Sequence, residues 1–361
     1  MVKDYQISNR QLFSAIGCFL IGSTVIITPA AAAKQNAWLA LLIGLAGGVI
    51  LISIYTAIAR LNPMKTWVEI LKDHLGKFPG SILAGLYIWY FIHLATLVLR
   101  NFGEYFIVIN YTETPLVFVN LLFILVVAYI TTLGIEVIGR ISEVFLVILT
   151  VNIIIVFFLL FGLFDAENLK PVLEEGLKPV LSASFSLMAF PFGESVVLLM
   201  VFPYVNKQKE VCKTSIFSFL FTGFILLVVI IRNLMVLGAD MAARDVFPSH
   251  VVFRLIPGLD LDPVVDINFI IAGVVKISLC LTAAVTGLKY LFGLKNVKAM
   301  VIPVASFILP LSIWIYGSLP EMVQWATDIW PVYSIPFQIV IPLIVLMISS
   351  IKNRSKKHAQ G

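Results

Sequence analysis

The residues with the most chemistry to offer lie together, in the run Phe190-Pro191-Phe192-Gly193-Glu194-Ser195, at the middle of an apolar segment covering about 182–204. A proline, a glycine and an ionisable carboxyl share the midpoint of a stretch long enough to cross a bilayer. Pro191 lacks an amide N–H and clashes with the preceding turn, and Gly193 favours unwinding. A helix broken at this depth frees backbone groups that hydrocarbon cannot satisfy, so the break has to line an enclosed cavity. An intramembrane carboxyl is costly and marks a functional site by default. The competing reading is a packing kink in which Glu194 pairs with a neighbouring helix.

A second break answers the first. Gly22-Ser23-Thr24 lies near the midpoint of the first apolar segment, followed by β-branched Val25-Ile26-Ile27 and by Pro29. Small residues are common in transmembrane packing, so this run gains weight only from its partner in the sixth segment. Two interrupted helices at corresponding places in two halves point to an inverted-repeat transporter with its site at the midplane. Half-helix N-termini offer free N–H groups to an anion, and half-helix C-termini offer carbonyls to a cation. The substrate-binding candidates are therefore Gly22, Ser23, Thr24, Phe190, Phe192, Gly193 and Glu194. Lys276 falls near the midpoint of the eighth segment, at the same depth, and either pairs structurally with Glu194 or serves the site. Arg100 and Glu104, spaced i, i+4, read as an ion pair or a gate, while Thr96 and Asn152 are cavity candidates. His93 reads as a packing histidine; Trp314, Tyr316, Trp325 and Trp330 read as an interfacial aromatic belt.

The elements that must position these residues follow from composition. The 361-residue chain is 60% hydrophobic and only 12% charged, about half the charge of a soluble domain, and its mean hydropathy is +1.02. It reads as an all-α integral membrane protein. Ten spans are expected at about 11–33, 37–59, 81–108, 116–134, 141–164, 183–204, 213–238, 263–288, 299–317 and 331–351, forming one polytopic domain, 1–351. The first span resembles a signal peptide but is long enough to be a retained helix. Amphipathic surface helices are expected at 64–78 and 241–255. Seventeen lysines and arginines fall on one side against five on the other, which predicts cytoplasmic termini and a basic cytoplasmic tail at 352–361. Ten spans divide into repeats of about 11–164 and 183–351, with helices 1 and 6 broken at mid-membrane. Cys18, Cys212 and Cys280 lack CxxC spacing and the four histidines lack ligand spacing, so no metal or cofactor is expected. Nucleic-acid binding and enzymatic catalysis are not expected either, since the net charge of +5 lies in loops and tail and no nucleophile–base cluster is visible.

Ten spans with breaks in the first and sixth resemble the amino acid–polyamine–organocation transporters, and Phe192-Gly193-Glu194-Ser195 is similar to the aromatic–Gly–Glu element of their amino-acid exchangers. More narrowly, Ile7-Ser8-Asn9-Arg10-Gln11, Asn62-Pro63, Pro191-Phe192-Gly193-Glu194 and Phe202-Pro203 resemble the spore germination permease family, the B subunits of nutrient germinant receptors. That resemblance implies a receptor in the spore inner membrane that senses an amino acid or similar small nutrient. It also implies partnership with an A subunit and a C-subunit lipoprotein. In related transporters the gap between spans one and eight often holds sodium, so Lys276 looks like a substitute for the ion, with proton linkage or no coupling ion. The alternative function is a proton-coupled amino-acid permease in the cell membrane.

Overall fold

The computed structural model describes residues 6–24, 30–256, 258 and 261–358. Helix α1 (Asn9–Thr24) starts from a reciprocal cap: Gln11 N–H donates to Ser8 Oγ at 3.1 Å, and Ser8 N–H to Gln11 Oε1 at 2.9 Å. Just before it, Ile7 exchanges backbone hydrogen bonds with Tyr204 O and Asn206 N–H, tying the start of the first span to the end of the sixth. Thus Ile7-Ser8 and Gln11 have local structural work. The residues Val25-Ile26-Ile27 and Pro29, expected to extend the first break, lie outside the described residues, as does the tip of the tail at 359–361.

The chain continues through α2 (Ala37–Leu61), α3 (Trp67–Leu75), α4 (Lys77–Ile109), α5 (Leu116–Leu133) and α6 (Ile135–Leu159). The second half holds α7 (Leu177–Leu187), α8 (Val211–Arg244), α9 (Pro248–Arg254), α10 (Asp262–Phe292) and α11 (Val301–Trp314). A final interrupted span comprises α12 (Leu319–Gln324), α13 (Trp330–Ile335) and α14 (Ile341–His358), joined by π-helical turns at Trp325–Ile329 and Pro336–Val340. Among the described residues, eight helical stretches are long and apolar enough to cross a membrane, and Lys298–Trp314 is a shorter apolar one. With α1 these match the ten segments expected from sequence. The α10 stretch and the broken sixth span, Leu177–Met200, are the most enclosed by protein, so both bear on the centre of the bundle.

Two expectations change. The helix expected to lie on the membrane surface at 64–78 is α3, started by a Thr66/Glu69 capping box. It buries Trp67, Val68, Ile70 and Leu71 against α4 and α10, so its apolar face is spent inside the protein. The region 241–255 is divided: α8 runs to Arg244, with non-helical Gly238 at φ 74°, and α9 is a separate buried strap. A positive φ at that bend is natural for glycine and strained for other residues.

Candidate functional site

The sixth span breaks where the sequence places its proline and glycine. After α7 a π turn covers Met188–Phe192, in which Phe190 leaves helical geometry (φ −135°, ψ 111°), and a 3-10 segment follows over Gly193–Met200. The carbonyls released by the break find side-chain donors from other spans. Gln338 Nε2 donates to Ala189 O at 3.0 Å and to the Tyr90 hydroxyl at 2.9 Å. The Tyr55 hydroxyl lies 2.7 Å from Gln338 O and 3.3 Å from Gly193 O. α2, α4 and the last span therefore supply what hydrocarbon would not. A Cβ on Gly193 would run into the Gln338 carboxamide, so a bare glycine is needed for this close approach.

At the break, α10 delivers Lys276. Its Nζ lies 2.5 Å from Glu194 Oε2, and both side chains are buried. The ammonium also stands over two aromatic rings, 5.0 Å from the Phe19 centroid and 5.1 Å from that of Phe190. Its stem crosses α1 at Gly22, where a Cβ would come within 2.8 Å of Lys276 Cδ. Gly22, Phe190, Glu194 and Lys276 are thus one constellation, joining the end of α1 and the broken sixth span to the eighth span. The Glu194–Lys276 pair that the sequence offered as the structural alternative to a site role is present.

Other expected residues sit elsewhere. Phe192 packs against Gly48 of α2 and Phe219 of α8, with ring centroids 5.7 Å apart. The Thr24 hydroxyl donates back to Leu20 O at 2.8 Å, and the Ser23 side chain lies outside the described residues. Thr96 bonds within its own helix to Ile92 O. Asn152 donates to Asn268 Oδ1 at 2.8 Å, coupling α6 to α10. Arg100 pairs with Glu104 at 2.6 Å and donates to the carbonyls of Ser312 and Ile313, fastening α4 to the end of α11. Thr24, Thr96, Asn152, Arg100 and Glu104 make their hydrogen bonds to these other partners.

Of the expected aromatic belt only Trp314 is strongly exposed. Tyr316 and Trp330 are buried, Tyr316 in the turn before the last span and Trp330 at the end of its first π turn. Trp330 stacks on Tyr90 at 5.5 Å, and with Trp325 and Tyr316 it covers a cleft of about 20 Å³ bounded below by Phe190 and Glu194. That is room for about one water. Asn101 also borders this cleft. His93 packs among Trp89, Trp325 and Trp330 as expected for a packing histidine. Among the described residues there is no group of three metal-ligating side chains. Sequence reasoning missed Phe19, Tyr55, Tyr90, Asn101 and Gln338. A carboxamide and two tyrosine hydroxyls in mid-span, far from the interface where tyrosines usually sit, were the signal available.

Compared with known proteins, the chain matches the spore germination protein family over residues 6–318. It belongs to that family. Within this family it is similar to spore germination protein KB of Bacillus subtilis (strain 168), 35% identical over all of this chain and 99% of the relative. It is also similar to spore germination protein A2 of the same organism, 27% identical over 65% of this chain and 64% of the relative. Among solved structures, MhsT in complex with L-phenylalanine superposes with a TM-score of 0.67 at 16% identity, covering 96% of this chain and 99% of MhsT. Mhp1, a nucleobase-cation-symport-1 family transporter, gives a TM-score of 0.68 at 14% identity, covering 90% of this chain and 75% of that one. This spore germination protein therefore has the five-plus-five inverted-repeat transporter fold and is a multi-pass membrane protein.

Proposed function

We propose that this chain is the membrane subunit of a spore nutrient germinant receptor, binding an amino acid or similar small nutrient at the midplane and triggering germination through partner subunits. The observation that carries this reading is the Glu194–Lys276 pair, held between Phe19 and Phe190 where the end of α1 and the broken sixth span meet the eighth span. A zwitterionic ligand carries the same two charges as the pair. Its carboxylate can take the Lys276 ammonium, while its ammonium takes Glu194 and the carbonyls at the end of α1 and at the break of the sixth span. The exchange conserves buried charge, which a ligand of single sign would not. Phe190 and the aromatic cover would receive the ligand's side chain. Binding shifts the conformation only if the ligand is held more tightly in the other state, and with this little room at Glu194 that other state is the more open one.

In this reading residues 1–351 form a single domain with repeats of about 11–164 and 183–351, and 352–361 is a basic tail. The lysine-rich loops favour cytoplasmic termini, and the location in this reading is the spore inner membrane or the cell membrane. An A subunit and a C-subunit lipoprotein receive the signal, and the chain is not an enzyme. The transporter fold favours a second reading, a proton-coupled permease. The deciding experiment adds a labelled amino-acid panel to purified protein in proteoliposomes, with and without an imposed proton gradient. Saturable binding without accumulation is expected. Accumulation driven by the gradient would make the chain a permease, and no binding to any zwitterion would overturn the site.

A further inference from the structure

A polar opening that Glu194 does not line lies at the ends of several spans. Between α5, the start of α6 and the end of α10, on the lysine-rich face, there is a pocket of about 290 Å³. Lys289, Lys298 and Asn296 line it, with Thr131, Thr282 and Thr286. Neither lysine has an ion-pair partner among the described residues. Thr131 is 6% exposed and its hydroxyl has no hydrogen-bond partner, and the Thr282 hydroxyl is likewise buried and unpartnered. Gly134 and Ile135 add the positive end of the 25-residue helix α6. Glu136 in that first turn accepts from Gln6 N–H at 3.0 Å and faces Arg140 at 3.8 Å, and it does not line the pocket.

Two ammonium groups, a carboxamide and unmet hydroxyls, with no carboxylate in the lining, suit a compact anion with several acceptor oxygens. The pocket sits where spans end, at headgroup depth, and exposed Leu133 and Phe292 lie within a few residues of its lining. Basic pockets between helices on the positively charged side are suited to anionic headgroups. We propose that this pocket binds a phosphate group, carried by an anionic phospholipid of the adjoining leaflet or by free phosphate. It is separate from the nutrient site and does not depend on that reading.

The test uses the full chain in phosphatidylcholine nanodiscs, titrated with dioctanoyl-phosphatidylglycerol or with inorganic phosphate. Protection of Lys289 and Lys298 from an amine-acylating reagent is read by mass spectrometry, with exposed Lys209 as internal control. Selective protection by the glycerophospholipid alone supports the lipid source, and protection by inorganic phosphate as well supports a free-phosphate site. Measured directly with radiolabelled dioctanoyl-phosphatidylglycerol or phosphate in the same nanodiscs, binding to K289Q/K298Q should be about 30-fold weaker, the strength expected of two lysines near a charged surface. K209Q should leave it unchanged, and T131V/T282V should weaken it while keeping both charges. Equal acylation of the three lysines in wild-type protein with either anion overturns the proposal, and so does undiminished binding by K289Q/K298Q.

Discussion

Glu194 and Lys276 each depend on the other. Breaking a buried pair by removing one partner strands the second charge and costs about 3–5 kcal/mol, whereas replacing both with apolar groups can be neutral. Lys276→Met alone should therefore lower the thermal unfolding temperature sharply in detergent, and Glu194→Leu/Lys276→Met should recover most of that loss without recovering ligand binding. Recovered binding in the double variant would show that the pair is only structural. Gly22→Ala is a finer probe. Its new methyl would meet the Lys276 stem at 2.8 Å and push the ammonium off Glu194, so binding should fall at least tenfold with little loss of protein yield. Glu194 and Lys276 were legible because each is out of place in an apolar span, and Gly22 only through its pairing with the break in the sixth span. Phe19 was not, since a phenylalanine among apolar residues carries no sign that a cation will rest on its face.

At the scale of elements, the sixth span is broken by its own residues but held open by others. Gln338 bridges Ala189 and Tyr90, and Tyr55 reaches both strands of that junction. Gln338→Leu keeps the volume and leaves the Ala189 carbonyl unsatisfied, which costs about 1–3 kcal/mol. It should speed hydrogen exchange at 189–194 more than in α6. The break was readable from Pro191 and Gly193, but its supports were not, because they come from spans 138 and 283 residues apart in pairing with Tyr55. The aromatic cover was misread for a related reason: the packing of Trp330 on Tyr90, from spans far apart in sequence, leaves no mark in hydropathy. α9 offers a pH test outside the spans. Burial lowers the His250 pKa below 6.5, against the opposing pull of Asp262, Asp266 and Asp245, with Arg254 acting in the same direction as burial. The folded state thus holds His250 neutral, its contribution is complete above about pH 6.5, and it is lost as pH falls further. With the intrinsic pH dependence of amide exchange divided out, protection of α9 should fall between pH 7.5 and 5, and His250→Gln should remove that fall.

For the whole molecule, hydropathy and charge bias were sufficient to place ten spans, since membrane thickness constrains every one of them. Packing between distant spans decided what faces the centre, and only coordinates reveal that. Cysteine labelling from either side should find residue 209 and the tail accessible from the cytoplasm; labelling from outside would invert the orientation. The tightly filled middle has an electrical consequence. An ion crossing this chain would have to displace a neutralised charge pair wedged between two aromatic rings and then pass a cleft large enough for about one water. The expected outcome is that proteoliposomes carrying this protein discharge an imposed proton or sodium gradient no faster than protein-free vesicles; a faster discharge would mean that ions find a path around the pair.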